Sequence, residues 1–333
     1  MAMAPERRVD PNDGAAYTYD ELLAFYGGQF RPAEIRAYWD STCYLQPKAK
    51  AQAKFKVKAA AEVKERRPKI GTGTWTIRYH AGEFKGRAEF VRLMLEDAGV
   101  AYTESAENLY GPEGYCDAFR GLGSSEKGLG DGAAAHVAAD TAPFPVMFPP
   151  VLHYKPGPGE PEQIEVFINQ VPAIMRYLAG RLGYMTKGLG LTAKADQIML
   201  NCNDFVAEGR ACFHPLDNKK GYSEQKEAAD VASKKFAETR LPVWLGHLEK
   251  VVKKLQPSGE GALVGMVTHA DFALFHALDA TEAQFDGAAF GQAWTSAEAP
   301  TLKKWKAWFA SRPKMAEYLG SDRRKPWAGD SMM

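Results

Sequence analysis

Apolar positions change their period several times along the 333 residues, and those changes divide the chain. Trp75-Thr-Ile-Arg-Tyr79 alternates with the period of two that a half-buried strand requires. Phe90, Val91, Met94, Leu95 and Ala98 then recur at helical spacing, and Gly99 stands where a left-handed C-cap belongs. Val100-Ala-Tyr-Thr103 returns to extended character, so this stretch opens a βαβ fold. Val151–Tyr154 and Ile164–Ile168 predict a hairpin around the turn Pro156-Gly-Pro-Gly159. Pro172 opens a helix with Ile174, Tyr177, Leu178 and Leu182 on one side. From about 192 to 319 the pattern is helical throughout.

The flanking stretches read differently. Residues 1–46 form a small aromatic-rich module. Turn formers cluster in Asp10-Pro-Asn-Asp-Gly14, and Thr18-Tyr-Asp-Glu21 has the spacing of a capping box. Leu22, Leu23, Phe25, Tyr26, Tyr38 and Trp39 are too apolar to leave in water and are expected to pack on the main body or a partner. Residues 47–73 read as a solvated helical linker rich in lysine and alanine, ended by Pro68. Residues 111–142, with Gly121-Leu-Gly-Ser-Ser-Glu-Lys-Gly-Leu-Gly130, lack the Lys-Ser/Thr ending of a phosphate loop and read as a surface insertion.

Composition narrows the function classes. Apolar residues at 45% and charged residues at 25% suit a soluble chain of two domains plus an appendage. A net charge of +1 supplies no field for nucleic acid or an anionic membrane, so neither is expected as a partner. No apolar run approaches a bilayer span. Charges at Arg7 and Arg8 lead into no hydrophobic stretch, and Asp10, Asp13, Asp20 and Glu21 argue against a transit peptide; a cytoplasmic protein is expected. Cys43, Cys116, Cys202 and Cys212 are far apart, which predicts reduced thiols rather than a disulfide scaffold or zinc ribbon.

Four ordered segments carry a family resemblance: Tyr79 followed by Lys85-Gly-Arg-Ala-Glu89; Phe148-Pro-Pro-Val-Leu152; Asn169-Gln-Val-Pro-Ala-Ile174 with Arg176-Tyr-Leu-Ala179; and Thr268-His-Ala-Asp-Phe272. Together they resemble the glutathione transferase superfamily over about residues 74–327. Asp204–Glu208 with His214-Pro215, Arg240-Leu-Pro242 and Ser321-Asp-Arg-Arg324 are similar to a bacterial and algal or protist subgroup. The resemblance implies a thioredoxin-like α/β domain at 74–185, an all-helical C-terminal domain at 190–320 and a tail at 321–333. It also implies glutathione as co-substrate, a small hydrophobic electrophile, no metal, a homodimer and a role in detoxification. Residues 1–70 lie outside it.

Such a transferase must hold the glutathione sulfur as thiolate. A free thiol ionises near 8.5, and lowering that by about two units takes about 2.7 kcal/mol of preferential anion stabilisation. One aimed hydroxyl plus one cation can supply it. By resemblance Tyr79 is the hydroxyl and Arg87 the cation, with Thr74, Thr76 and His80 as rival donors; the loop between Tyr79 and Arg87 is about two residues longer than in tyrosine-class relatives. The glutathione cradle falls by the same route on Pro149, Pro150, Val151, Gln170 and Val171, with Pro150 following a cis peptide bond. Pro149 has no N–H to offer the cysteinyl unit. With Pro172 read as the first helical residue, Val171 is the N-cap, where it contributes no hydroxyl. Asp204, Glu208 and His214 read as ordinary helix-face polar groups, and Trp305, Trp308 and Phe309 as core. The other functions open are a binding or assembly protein of the same fold without turnover, and a glutathione-dependent isomerase or peroxidase.

Overall fold

The computed structural model describes residues 6–10, 16–28, 30–41, 43–45, 71–107, 109, 114–117, 144–217, 220–285 and 287–327. The linker and insertion predictions fall almost entirely outside them. The chain divides into two units, Met1–Arg66 and Arg67–Met333.

The first unit is built from β1 (Arg8–Val9), β2 (Ala16–Tyr17), α1 (Tyr19–Tyr26), α2 (Pro32–Ser41) and β3 (Tyr44–Leu45), with sheet order β2-β1-β3, all antiparallel. The Thr18–Glu21 capping box is present. The apolar residues build a core of their own from Leu22, Ile35, Trp39 and Cys43. Asp10, read as a turn former, is fully buried and accepts the Tyr26 and Tyr38 hydroxyls at 2.7 and 2.6 Å. That satisfies a carboxylate which burial would otherwise penalise.

The second unit begins with β4 (Thr74–Arg78), a 3-10 turn at Gly86–Ala88, α3 (Glu89–Ala98), β5 (Thr103–Ser105), β6 (Val151–Lys155), β7 (Val166–Ile168) and α4 (Val171–Leu182). The strand predicted from Val100 starts at Thr103. Sheet order is β5-β4-β6-β7, with β4–β5 parallel and the other pairs antiparallel. This is a thioredoxin-like arrangement. Alternation along β4 sends Trp75, Ile77 and then Tyr79 toward α3 and α4, while Thr76 and Arg78 face the other way. Gly99 adopts the predicted left-handed C-cap at φ +68°.

Seven α-helices follow among the described residues: α5 (Leu189–Ala211), α6 (Lys226–Thr239), α7 (Leu241–Leu255), α8 (His269–Gln284), α9 (Gly287–Ala297), α10 (Pro300–Ala310) and α11 (Pro313–Leu319). Their apolar faces and those of α3 and α4 make one continuous core, which includes Trp305 and Phe309. Helix α8 is buried along most of its length, as a helix at the centre of a bundle must be. Its buried N-terminus is satisfied by Asp271, which accepts the Thr268 N–H at 2.8 Å, the Thr268 hydroxyl at 3.0 Å and the Leu263 N–H at 3.0 Å. Polar bonds also grip α3: Tyr184, just past the end of α4, and Arg312 of the helical half both donate to Asp97, at 2.6 and 2.7 Å.

Candidate functional site

Strand register brings the predicted residues to one end of the sheet. Arg78 pairs with Val151, and Leu152 pairs with Ile168, so Tyr79, Pro150 and Gln170 leave the sheet together. Tyr79 extends β4 by one bond, its N–H donating to the Ser105 carbonyl at 3.0 Å. Its side chain is 6% exposed. The hydroxyl accepts the backbone N–H of Arg87 at 3.0 Å, and among the described residues its own proton goes to no acceptor.

That arrangement decides what the hydroxyl can do. Burial pushes its pKa up against the lowering influence of the Arg87 N–H and of the Arg87 and Arg92 charges. Tyr79 therefore stays protonated at neutral pH and can donate a hydrogen bond to an anion. It is not a base.

Gly86 makes the contact with Arg87 feasible. Its φ is +53°, and a Cβ there would lie 2.3 Å from the Tyr79 hydroxyl oxygen. Arg87 itself is half-buried, and desolvation lowers its pKa. The rival donors separate from Tyr79: Thr76 sits on the opposite sheet face, bonded to Thr103 at 3.0 Å, and Thr74 is exposed at the far end of β4. His80 packs its ring 5.0 Å from the Tyr79 ring.

The Pro149–Pro150 bond is cis, as the resemblance implies. Pro150 and Val151 are buried and Pro149 is half-buried. One prediction is corrected at α4. Gln170, not Val171, is the N-cap, and Val171 is the first helical residue. Val171 is 3% exposed and points into the core, so it offers the cradle a backbone N–H at most. Gln170 is exposed and adopts φ +69°, ψ 108°, an arrangement that costs a non-glycine residue on the order of 1–3 kcal/mol. No side chain caps α4, so its first turn and dipole favour an anion.

Sequence reasoning missed Asn169. With its amide carbonyl turned toward them, it accepts the Met147 and Phe148 N–H groups at 3.1 and 3.3 Å, tying the cis-proline turn to the start of α4. Nothing in the local pattern signals this, because the bond joins segments brought together only by the β6–β7 pairing. The Asp204, Glu208 and His214 set does not converge: Glu208 accepts from Arg240 and Trp244, and His214 meets the Lys220 carbonyl.

The glutathione S-transferase C-terminal domain family matches residues 212–322. The Fasciola hepatica sigma class GST superposes with a TM-score of 0.51 at 18% identity, over 76% of this chain and 98% of its own. The family match thus covers part of the helical half, and the second unit shares the fold of that sigma class protein. NaGST-2 also superposes, at TM-score 0.48 and 21% identity over 75% of this chain and 98% of its own. So does the Onchocerca volvulus Pi-class glutathione S-transferase, at 0.47 and 19% over 74% and 92%. No curated protein sequence matches the chain.

The sheet end just described gathers a small set of parts. It holds a protonated hydroxyl that has no acceptor among the described residues, the Arg87 charge that acts on it, a cis-proline turn and a helix start with no side-chain cap. Among the described residues no three His, Cys, Asp or Glu side chains gather to hold a metal, and no helix is long and apolar enough to cross a membrane.

Proposed function

We propose that this chain is a glutathione transferase that conjugates the glutathione thiolate to a small hydrophobic electrophile. The observation that carries the reading is the Tyr79 hydroxyl, which accepts the Arg87 N–H at 3.0 Å and keeps its own proton for an incoming sulfur. A hydrogen bond from that proton and the Arg87 charge favour thiolate over thiol, so the nucleophile forms at neutral pH. The γ-glutamyl carboxylate would meet Gln170 and the free N–H groups of the first turn of α4. The Pro149 carbonyl and the backbone of Val151 would align the cysteinyl unit beside Pro150. Four cysteines scattered along the sequence with no CxxC pair accord with a reducing, cytoplasmic setting. A homodimer is part of the same reading.

The test is direct: purified protein is titrated with glutathione calorimetrically and assayed with chlorodinitrobenzene. Binding together with conjugation supports the reading. Absence of both would count decisively against it.

A second reading, a glutathione-transferase fold used for binding without turnover, is favoured by one observation. Pro149 withholds an N–H at the cysteinyl position, leaving a one-sided backbone contact. Glutathione binding with no conjugation of several chemically distinct electrophiles would select it.

A further inference from the structure

The loop from Tyr79 to Arg87 is held in place by a segment far along the chain. Lys85, the residue before Gly86, is 4% exposed and tethered at each of its polar groups. Its N–H donates to the Pro326 carbonyl at 3.0 Å. Its ammonium donates to the Lys325 carbonyl at 2.5 Å and lies 4.6 Å from the centre of the Trp327 ring. Its own carbonyl accepts from Arg92 at 2.6 Å.

The segment that grips it, Arg324–Trp327, is anchored in turn. Arg324 pairs with Asp279 of α8 at 2.5 Å and approaches Glu89 at 3.7 Å. The Lys325 ammonium meets Glu104 at 2.9 Å, the same carboxylate that takes Arg92 at 2.7 Å. Trp327 stacks 5.7 Å from His276 of α8, whose ring also meets that of Phe90 at 4.1 Å. Both ends of the Lys85 backbone are therefore referred to one buried framework made of α3, α8 and β5.

We propose that segment 324–327 is a strap that positions the Arg87 N–H, and through it the Tyr79 hydroxyl, with Lys85 and Trp327 as positioning residues of the thiolate site. This rests on the glutathione reading of that site. The physical need is plain: residues 80–84 form no regular structure, so the loop takes its geometry from its anchors. Only Gly86 separates the tethered Lys85 from Arg87. A shift of the strap is transmitted to the Tyr79 hydroxyl with little to absorb it.

The experiment compares the full chain with Trp327→Ala, Trp327→Phe and Lys85→Met. In ligand-free protein, amide hydrogen exchange at Lys85 and Arg87 is expected to run about five- to tenfold faster in Trp327→Ala, with amides of α5 unchanged. In the glutathione complex, the thiol pKa is expected to rise by about half to one unit, read from thiolate absorbance against pH. Trp327→Phe restores both. Lys85→Met moves both in the same direction and carries the test if Trp327→Ala does not fold. Unchanged exchange at Arg87 overturns the strap, and so does faster exchange with an unmoved thiol pKa. A wild-type chain that binds no glutathione overturns the functional reading instead; exchange at Arg87 still decides whether the strap holds the turn.

Discussion

The Tyr79 hydroxyl oxygen lies 3.0 Å from the Arg87 backbone nitrogen and accepts its N–H. One bond thus fixes the ring's tip, and it leaves the phenolic proton without an acceptor among the described residues. Removing the hydroxyl separates these two roles. Tyr79→Phe is expected to lower kcat/KM for conjugation about tenfold to a hundredfold, the worth of one hydrogen bond to an anion. It is also expected to cost about 1 kcal/mol of stability, because the Arg87 N–H loses its acceptor. Steady-state kinetics and denaturant unfolding read the two effects separately.

Gly86 is the residue least open to change near this site. Alanine there combines a left-handed φ with a Cβ placed 2.3 Å from the Tyr79 oxygen. The backbone term alone is about 1–2 kcal/mol. Gly86→Ala should exceed that in urea unfolding and should also displace the hydroxyl, reducing conjugation. Gly99→Ala is the control: φ is +68° but a Cβ meets nothing within 4 Å, so only the backbone term applies.

Asp271 holds the buried start of α8 through two backbone N–H groups and one hydroxyl. Asp271→Ala leaves those donors unpaired in the core. The expected loss is on the order of 3 kcal/mol, well above that of an exposed cap. Thermal or denaturant unfolding measures it.

Two carboxyls set opposite pH slopes. Glu160 accepts the Tyr154 hydroxyl, the Gly157 and Gly73 N–H groups and Arg181, and these bonds hold its pKa down to about 2 from 4.5. Its contribution is complete above pH 4.5 and is lost as pH falls through 2. Asp271 runs the other way, since burial pushes it up from 3.8 to about 6 despite its donors. Its folded form binds the proton more tightly, so stability falls as pH rises from 3.8 to 6. Glu160→Gln should flatten the acid limb of a stability–pH curve, and Asp271→Asn should flatten the opposing slope.

Local signals carried the fold well. Alternation at Trp75–Tyr79, the helical repeat from Phe90 to Ala98 and the Thr18–Glu21 box each depend on neighbours in sequence, and each is found where predicted. The start of α4 slipped by one residue, because a positive φ at Gln170 lets the helix begin at Val171 where a cap was expected. Contacts between distant segments were illegible. Asn169 reaching Met147, and Pro326 reaching Lys85, depend on which strands and helices meet in space, and neither leaves a pattern along the chain. The first unit shows the same limit: its two-residue strands are too short for any period to register.

In the proposed complex a glutathione thiolate is held by the Tyr79 hydroxyl at the sheet end shared with Pro150 and Gln170. A crystal structure of the glutathione complex tests it most directly. The sulfur is expected at hydrogen-bond distance from the Tyr79 hydroxyl, about 3 to 3.5 Å, with the γ-glutamyl carboxylate at the first turn of α4. A sulfur beside His80 or Thr74 and away from Tyr79, or a glutathione bound elsewhere, would contradict it.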